Sequence, residues 1–258
     1  MTKKFKIPIY LAGAFVCFLA CLSVSADSLD NAMYRAERLA KNGHYEEALQ
    51  GYVTVYRDSH KVSCWSCVRN SFLLNPFVEL AHDYPPALIA LHDFRDEAEK
   101  RIIAGHPGPD DVLDWSALTE KLGEYSHALT VYKQLKSQQS PLSKDLVGFL
   151  FVTLVRDGDY VATHDVAIAD AEYEKGRLRE LRGYRGSAAG LQRILTSRYV
   201  LYQALLGSNE VEKANALASQ LWAVSPSIET KDSLIRAAHL AGSDPAITNL
   251  NRLGAKSD

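Results

Sequence analysis

The sequence predicts an all-α protein built of antiparallel helical hairpins, and three observations carry that prediction. Apolar residues recur at spacings of three and four along most of the chain instead of alternating, which is the helical period. Glycines stand where those runs stop, as helix terminators do. A ten-residue stretch around one such glycine returns, without a gap, around another. Of the 258 residues, 47% are hydrophobic and 23% charged, enough apolar material for one or two packed cores and too much for a disordered chain. The 29 lysines and arginines nearly cancel the 31 aspartates and glutamates. No global basic excess therefore recruits nucleic acid or an anionic membrane surface.

At the N-terminus, Lys3, Lys4 and Lys6 precede an apolar run from Ile7 to Val24, followed by Ser25-Ala26 and then Asp27. A positive start, an apolar stretch and small residues before a cut predict a cleaved secretory signal peptide over residues 1–26. Cleavage removes three lysines and no acid, leaving 232 residues with 26 bases against 31 acids, a charge of −5, and two of the four cysteines. The expected location is periplasmic or secreted. The alternative is an inner-membrane anchor, since Ile7 to Val24 just reaches spanning length. Lipidation at Cys21 is a third reading, poorly matched by Phe18-Leu19-Ala20.

The first hairpin occupies residues 27–60. A helix from Asp30 to Lys41 carries Ala32, Met33, Ala36, Leu39 and Ala40 on one stripe, Asn42-Gly43 stops it, and a second helix runs from Tyr45 to Arg57. Residues 61–110 read as an atypical helical insertion. One helix is expected from Cys64 to Leu74, a break at Asn75-Pro76 acting as N-cap and first-turn proline, a second helix to Tyr84, and a third from Ala87 to Ala104 after Pro85-Pro86. Gly105-His106-Pro107-Gly108-Pro109 is a rigid connector, with Asp110 or Asp111 capping the next helix. Residues 111–175 hold two further hairpins, Asp111–Leu122 with Tyr125–Lys136, and Lys144–Arg156 with a helix opening at Tyr160 after Gly158. Residues 176–190 read as a connector, with Gly176, Gly183, Gly186 and Gly190 among Arg177, Arg179, Arg182 and Arg185 and no apolar face worth burying. C-terminal hairpins fill residues 191–258, the last around Ala238, Gly242 and Ala246.

The internal repeat decides among helical folds. Gly43, Tyr45, Ala48, Leu49 and Tyr52 align without gaps on Gly123, Tyr125, Ala128, Leu129 and Tyr132. The glycine can take the left-handed conformation that ends a helix. The alanine lies three residues after the first tyrosine and the second tyrosine seven after it, so all three share a helical face where a small residue lets two helices approach. Gly158-Asp159-Tyr160 repeats the turn, with Thr163 at the alanine position.

These residues resemble the tetratricopeptide repeat family (TPR), whose units are helix-turn-helix hairpins with a Gly-Asp-Tyr-type turn, a small residue in the second helix and often a closing proline. The segment from Leu205 through Ala214 to Pro226 has the family's twelve-residue spacing between the small residue and the proline. Departures are plain: Arg35 stands where leucine is usual, and Trp115 is displaced from the family's tryptophan position. The first two turn glycines are 80 residues apart, where one intervening unit would give about 68. The resemblance implies an α-solenoid, a TPR-like superhelix whose first helices line a concave groove. In the family register that groove presents Met33, Glu37, Lys41, Glu120, Lys121, Val152, Arg156, Tyr199 and Gln203. This is not the lysine and asparagine set with which family members clamp the carboxylate end of a chaperone tail. An extended or helical protein segment held by mixed contacts is expected instead.

Cys64-Trp65-Ser66-Cys67 is the other motif with chemistry. A thioredoxin-like site wants a preceding strand, and covalent haem attachment wants histidine where Val68 stands. A metal site could add His60 and His82, yet no second cysteine pair remains once Cys17 and Cys21 are removed. A local disulfide between Cys64 and Cys67 is the expected state in an oxidising compartment. The four arginines from Arg177 to Arg185, with Tyr184 among them, suit an anionic partner; a solvated linker balanced by Glu172, Glu174 and Glu180 is the plainer expectation. No phosphate loop, nucleophile elbow or zinc-binding helix motif occurs. The sequence thus predicts a non-catalytic protein-interaction scaffold or adaptor of the bacterial cell envelope, needing no cofactor or metal and binding a protein or peptide and no nucleic acid. Membrane contact is expected only if the N-terminal segment is retained. The competing readings are an envelope thiol or metal protein using Cys64 and Cys67, and a membrane-anchored structural subunit.

Overall fold

The computed structural model describes residues 25–62 and 65–252. Nearly all of the expected signal peptide, Cys64 and residues 253–258 lie outside the described residues. Every regular element among those described is helical. The chain divides into two compact units, the first ending at Trp65 and the second beginning at Ser66.

The first unit is a helical hairpin of α1 (Ala26–Lys41) and α2 (Tyr45–Ser59). Helix α1 starts four residues before the expected Asp30, because the Ser25 hydroxyl accepts the Ser28 N–H at 3.2 Å and caps it. Cleavage after Ala26 would remove that cap. Leu29, Met33 and Ala36 of α1 and Ala48, Tyr52, Val55 and Tyr56 of α2 are buried. The helices come closest at Gly51, where a Cβ would stand 2.9 Å from Ala36 Cβ.

The second unit runs α3 (Ser66–Val68), a π-helical turn (Arg69–Leu73), α4 (Leu74–Asp83), α5 (Pro85–Ile103), α6 (Asp111–Leu122), α7 (Tyr125–Ser137), α8 (Leu142–Asp145), α9 (Val147–Asp157), α10 (Tyr160–Leu181), α11 (Ala188–Gly207), α12 (Val211–Val224), α13 (Ile228–Leu240) and α14 (Asp244–Arg252). Close packing joins elements one or two places apart: α4 with α5 and α6, α9 with α10 and α11, α10 with α12, α11 with α13, and α13 with α14. One apolar core gathers around Trp115, Ala128, Tyr132 and Leu150, and another around Ala167, Leu195, Tyr202, Leu221 and Leu234.

The same backbone turn recurs. Gly43, Gly123, Gly158, Asn209 and Gly242 all have positive φ, from 62° to 80°. At each, the left-handed residue donates to the carbonyl three back and its successor to the carbonyl five back, as in Gly123 to Glu120 at 3.1 Å and Glu124 to Thr119 at 3.0 Å. Five residues after the first four of these positions stand Ala48, Ala128, Thr163 and Ala214, each with no exposed surface. In the fourth turn the left-handed residue is Asn209, and Gly207 remains helical. Its role is packing, since a Cβ there would run into the ring of Tyr160. Pro226 is exposed in the link between α12 and α13, where Ser227 caps α13.

Four expectations are corrected. No break occurs at Asn75-Pro76: α4 runs through both, and the wide π turn just before it accommodates a proline that has no N–H to give and whose ring crowds the preceding turn. Neither Asp110 nor Asp111 caps α6 conventionally. Asp110 turns to Arg69, and Asp111 accepts the Gly108 N–H and a two-pronged bond from Arg101 at 2.8 Å. The hairpin of residues 111–137 is not a close pair, because α6 lies against α5 far more closely than against α7. Those ion pairs, and the Trp115 indole N–H on Glu99 at 2.9 Å, hold it there. Finally, residues 176–190 are mostly helix, α10 reaching Leu181 and α11 starting at Ala188, and the Leu178 side chain there is buried.

The least expected feature is Arg69, fully buried at the head of the π turn. Its Nε and Nη2 donate to Asp114 at 3.0 and 2.8 Å and Nη2 to Asp110 at 2.8 Å, while Asn70 donates to the same Asp114 oxygen at 2.8 Å. Removing one partner of such a pair strands a buried charge. Arg69→Met should therefore lower stability by about 3–5 kcal/mol in urea denaturation, and Arg69→Met with Asp114→Leu should recover much of the loss. Gly207→Ala should cost about 1–3 kcal/mol by overpacking, and in a Tyr160→Ala background the penalty should vanish.

Candidate functional site

Helices α9, α11 and α13 enclose an open pocket of about 330 Å³. Helix α11 supplies its wall through Gln192, Thr196, Tyr199 and Gln203, whose spacing of four, three and four keeps them on one face. Arg156 enters from the last turn of α9, just before the left-handed Gly158 ends that helix. From α13 come Ser233, Arg236 and the exposed Leu240.

The floor is a chain of hydrogen bonds tying four helices. Gln203 Nε2 donates to the Val155 carbonyl at 3.3 Å and to Tyr160 Oη at 3.1 Å, and Tyr160 Oη donates to the Leu240 carbonyl at 3.1 Å. Higher up, the Tyr199 hydroxyl lies 3.2 Å from Gln192 Oε1 and 3.4 Å from Thr230 Oγ1. Burial holds the Tyr199 phenol above its ordinary pKa; the Thr230 bond opposes this and the Glu229 charge reinforces it. The group is a neutral hydroxyl at ordinary pH.

Charge separates this pocket from its neighbours. Arg156 and Arg236 are exposed, make no hydrogen bond or ion pair with another described residue, and share a lining that contains no carboxylate. A larger hollow of about 400 Å³ beside α7, α8 and α10 is lined by Lys136 and Lys144 but also by the carboxylate of Asp165, and Asp159 pairs with Lys136 at 2.5 Å. The first pocket can therefore hold an anion between two guanidinium groups and a set of neutral donors and acceptors.

Of the groove residues expected from the sequence, Arg156, Tyr199 and Gln203 come together here. Gln203 is only 6% exposed, so it frames the pocket floor and is not a free contact. Val152 is exposed one turn before Arg156. Glu120 is exposed and Lys121 half-buried at the end of α6, and neither lines this pocket. In the first unit Met33 is 6% exposed and belongs to the hairpin core, a correction to its expected place in a groove, and Glu37 and Lys41 pair with each other at 2.5 Å. Arg177 lies 3.8 Å from Glu174 with its guanidinium over the Tyr173 ring, and Arg179, Arg182 and Arg185 are exposed. Cys67 carries an exposed free thiol; its expected disulfide partner, Cys64, is outside the described residues. Among the described residues no three histidine, cysteine, aspartate or glutamate side chains converge as a metal site.

Sequence reasoning missed Gln192, Thr196 and Arg236. Helical spacing back from Tyr199 and Gln203 reaches the first two. Arg236 stands six residues before Gly242, as Glu37, Val152 and Gln203 stand six before Gly43, Gly158 and Asn209. The repeat register, carried one hairpin further, would have found it. No family model, curated protein or solved structure matches this chain.

On the core side of α11, Tyr202 is fully buried, its hydroxyl has no hydrogen-bond partner among the described residues, and burial pushes it up to about 12. An unfolded tyrosine titrates near 10. Between those values the unfolded chain ionises and the folded one does not, so stability falls as pH rises above 10. Tyr202→Phe should remove that alkaline component and leave stability at pH 7 unchanged or raised by about 1 kcal/mol, as read from urea denaturation at pH 7 and 11.

Proposed function

We propose that this chain is a divergent tetratricopeptide-like array of the cell envelope that works by binding and carries no catalysis, and that an acidic segment of a partner protein docks in the pocket between α9, α11 and α13. The observation that carries the reading is the pair of unpaired arginines, Arg156 and Arg236, on a lining free of carboxylates. Three further features support it. The left-handed turn and the fully buried small residue five positions later recur through the chain. Close helix packing in the second unit follows chain order, as stacked hairpins require. The pocket is lined by helices that precede such turns, the first helices of the family's hairpins, where a solenoid presents its groove.

The sequence supplies the envelope location through its N-terminal segment. Among the described residues no helix is long and apolar enough to cross a membrane. The partner contact is side-chain recognition at one point along a longer segment.

Fluorescence anisotropy with labelled decapeptides carrying aspartate and glutamate, against the same peptides carrying asparagine and glutamine, tests this reading. The acidic set should bind more tightly, and Arg156→Ala or Arg236→Ala should each weaken binding about 10- to 150-fold, the worth of one charged hydrogen bond. Val161→Ala, at a site 89% exposed on α10, should leave affinity unchanged. Equal affinity for the two peptide sets, or no loss in either arginine variant, refutes the assignment.

A further inference from the structure

The hairpin of α10 and α11 is longer than its surroundings. These helices have 22 and 20 residues, against 11 in α9, 14 in α12 and 13 in α13. Their shared base is fixed where Gly207 meets the Tyr160 ring and Ser208 Oγ donates to the Tyr160 carbonyl at 3.1 Å. Near the start of α13, Thr230 sits beside Tyr199, so the first turns of α11 extend past that helix. The excess length of both helices is thus at the far end, residues 177–193.

That end is folded. Glu174 and Arg198 join the two helices beneath it through two bonds of 2.9 and 3.0 Å. Leu178 and Leu195 are buried between them, with Leu181 and Leu191 packed alongside. In the link, the Tyr184 ring and hydroxyl lie over Gly186 and Gly190, where any Cβ would overlap them.

Its charge is unlike the rest of the chain. Residues 177–193 hold five arginines, Arg177, Arg179, Arg182, Arg185 and Arg193, no lysine, and one acid, Glu180, whereas the whole protein carries −2. All five arginines are exposed, and among the described residues only Arg177 has a carboxylate within reach. Guanidinium groups match phosphate oxygens in pairs and shed water more readily than ammonium groups. None of its five arginines lines a pocket described above, which suits a flat anionic sheet and not a strand tracked through a groove or a peptide held in a cleft. Tyr184, 38% exposed among the arginines, has the apolar body and polar end of a residue that settles at a lipid interface.

We infer that the arginine-bearing tip of the α10–α11 hairpin, residues 177–193, docks on the phosphate surface of an anionic phospholipid bilayer. This is independent of the pocket between α9, α11 and α13, and it gives the chain a membrane contact separate from its N-terminal segment.

Vesicle flotation of the full chain tests it, comparing phosphatidylglycerol-containing with purely phosphatidylcholine vesicles. The N-terminal segment is common to all variants, so the decisive readout is the difference between wild type and Arg182→Gln/Arg185→Gln on the anionic vesicles. The double variant should bind about thirtyfold more weakly there, each arginine near the surface being worth about fivefold. It should match wild type on neutral vesicles and in thermal unfolding, and the wild-type preference for anionic vesicles should shrink as salt rises. Undiminished binding by the double variant, or an anionic preference that survives high salt, overturns the inference. So does tighter binding to a single-stranded oligonucleotide than to vesicles at equal phosphate concentration, which would assign the arginines to nucleic acid.

Discussion

A helix that ends leaves carbonyls that must find donors, and this chain meets the requirement with one backbone device at seven of its described helix-to-helix turns, those at Gly43, Gly105, Gly123, Gln139, Gly158, Asn209 and Gly242. The residue in the left-handed region and its successor both turn their N–H groups back onto the helix just finished. The next helix then leaves in a direction set by covalent geometry. At the turns of Gly43, Gly123, Gly158 and Asn209 its first full turn is delivered against neighbouring helices, and the residue five positions after the left-handed one is fully buried and small. Ala48, Ala128, Thr163 and Ala214 stand there. Burial elsewhere in the helices follows from that angle of departure, so Tyr52, Tyr132, Ala167 and Ala218, four residues further on, are buried as well.

Two kinds of cohesion operate on this frame. From α9 onward the helices are held mainly by apolar side chains, with the buried Glu174–Arg198 pair and the Gln203–Tyr160 hydrogen bonds as polar cross-links. From the π turn to α7 ion pairs and polar bonds add to the apolar core. Arg69 with Asp114, Arg101 with Asp111, Arg95 with Glu124, and Glu99 with Trp115 and His127 each join different helices. Apolar contact favours close approach without dictating rotation, while a two-pronged guanidinium pair fixes both. Helix α6 accordingly keeps to α5 and leaves α7 more loosely placed, although the turn between α6 and α7 is the best copy of the repeat.

Much of the frame was legible in the sequence because its signals are local. A glycine at a helix end, a small residue five later and a capping serine act within one or two turns, so Gly43, Gly123, Gly158, Ala128 and Ala214 could be placed from spacing alone. What escaped detection acts over distance or against propensity. Nothing near Arg69 indicates that its counter-charge lies 45 residues away on α6. Pro76 reads as a stop because the π turn that accommodates it has no compositional signature. Residues 176–190 read as a linker because four glycines and four arginines outweigh the few leucines, yet a long helical pair closes over those leucines. Three residues of the candidate pocket, Arg156, Tyr199 and Gln203, were visible from the repeat register. Arg236 was hidden because its turn, Gly242-Ser243-Asp244, lacks the tyrosine that follows Gly43, Gly123 and Gly158.

The hydrogen-bonded floor beneath the pocket also divides the labour of binding in time. Gln203 and Tyr160 are committed to the frame, so the bottom of the pocket has the same shape before and after an occupant arrives, and no rearrangement there slows entry. The guanidinium groups of Arg156 and Arg236 stand at the mouth on long, solvent-exposed stems. On the proposed reading they would set how often an acidic segment is drawn in and how strongly ionic strength slows that capture. How long such a segment stayed would depend on what it covers on α11, from Thr196 to Gln203. A pocket of this design would admit many acidic visitors quickly and keep only those that fit its wall.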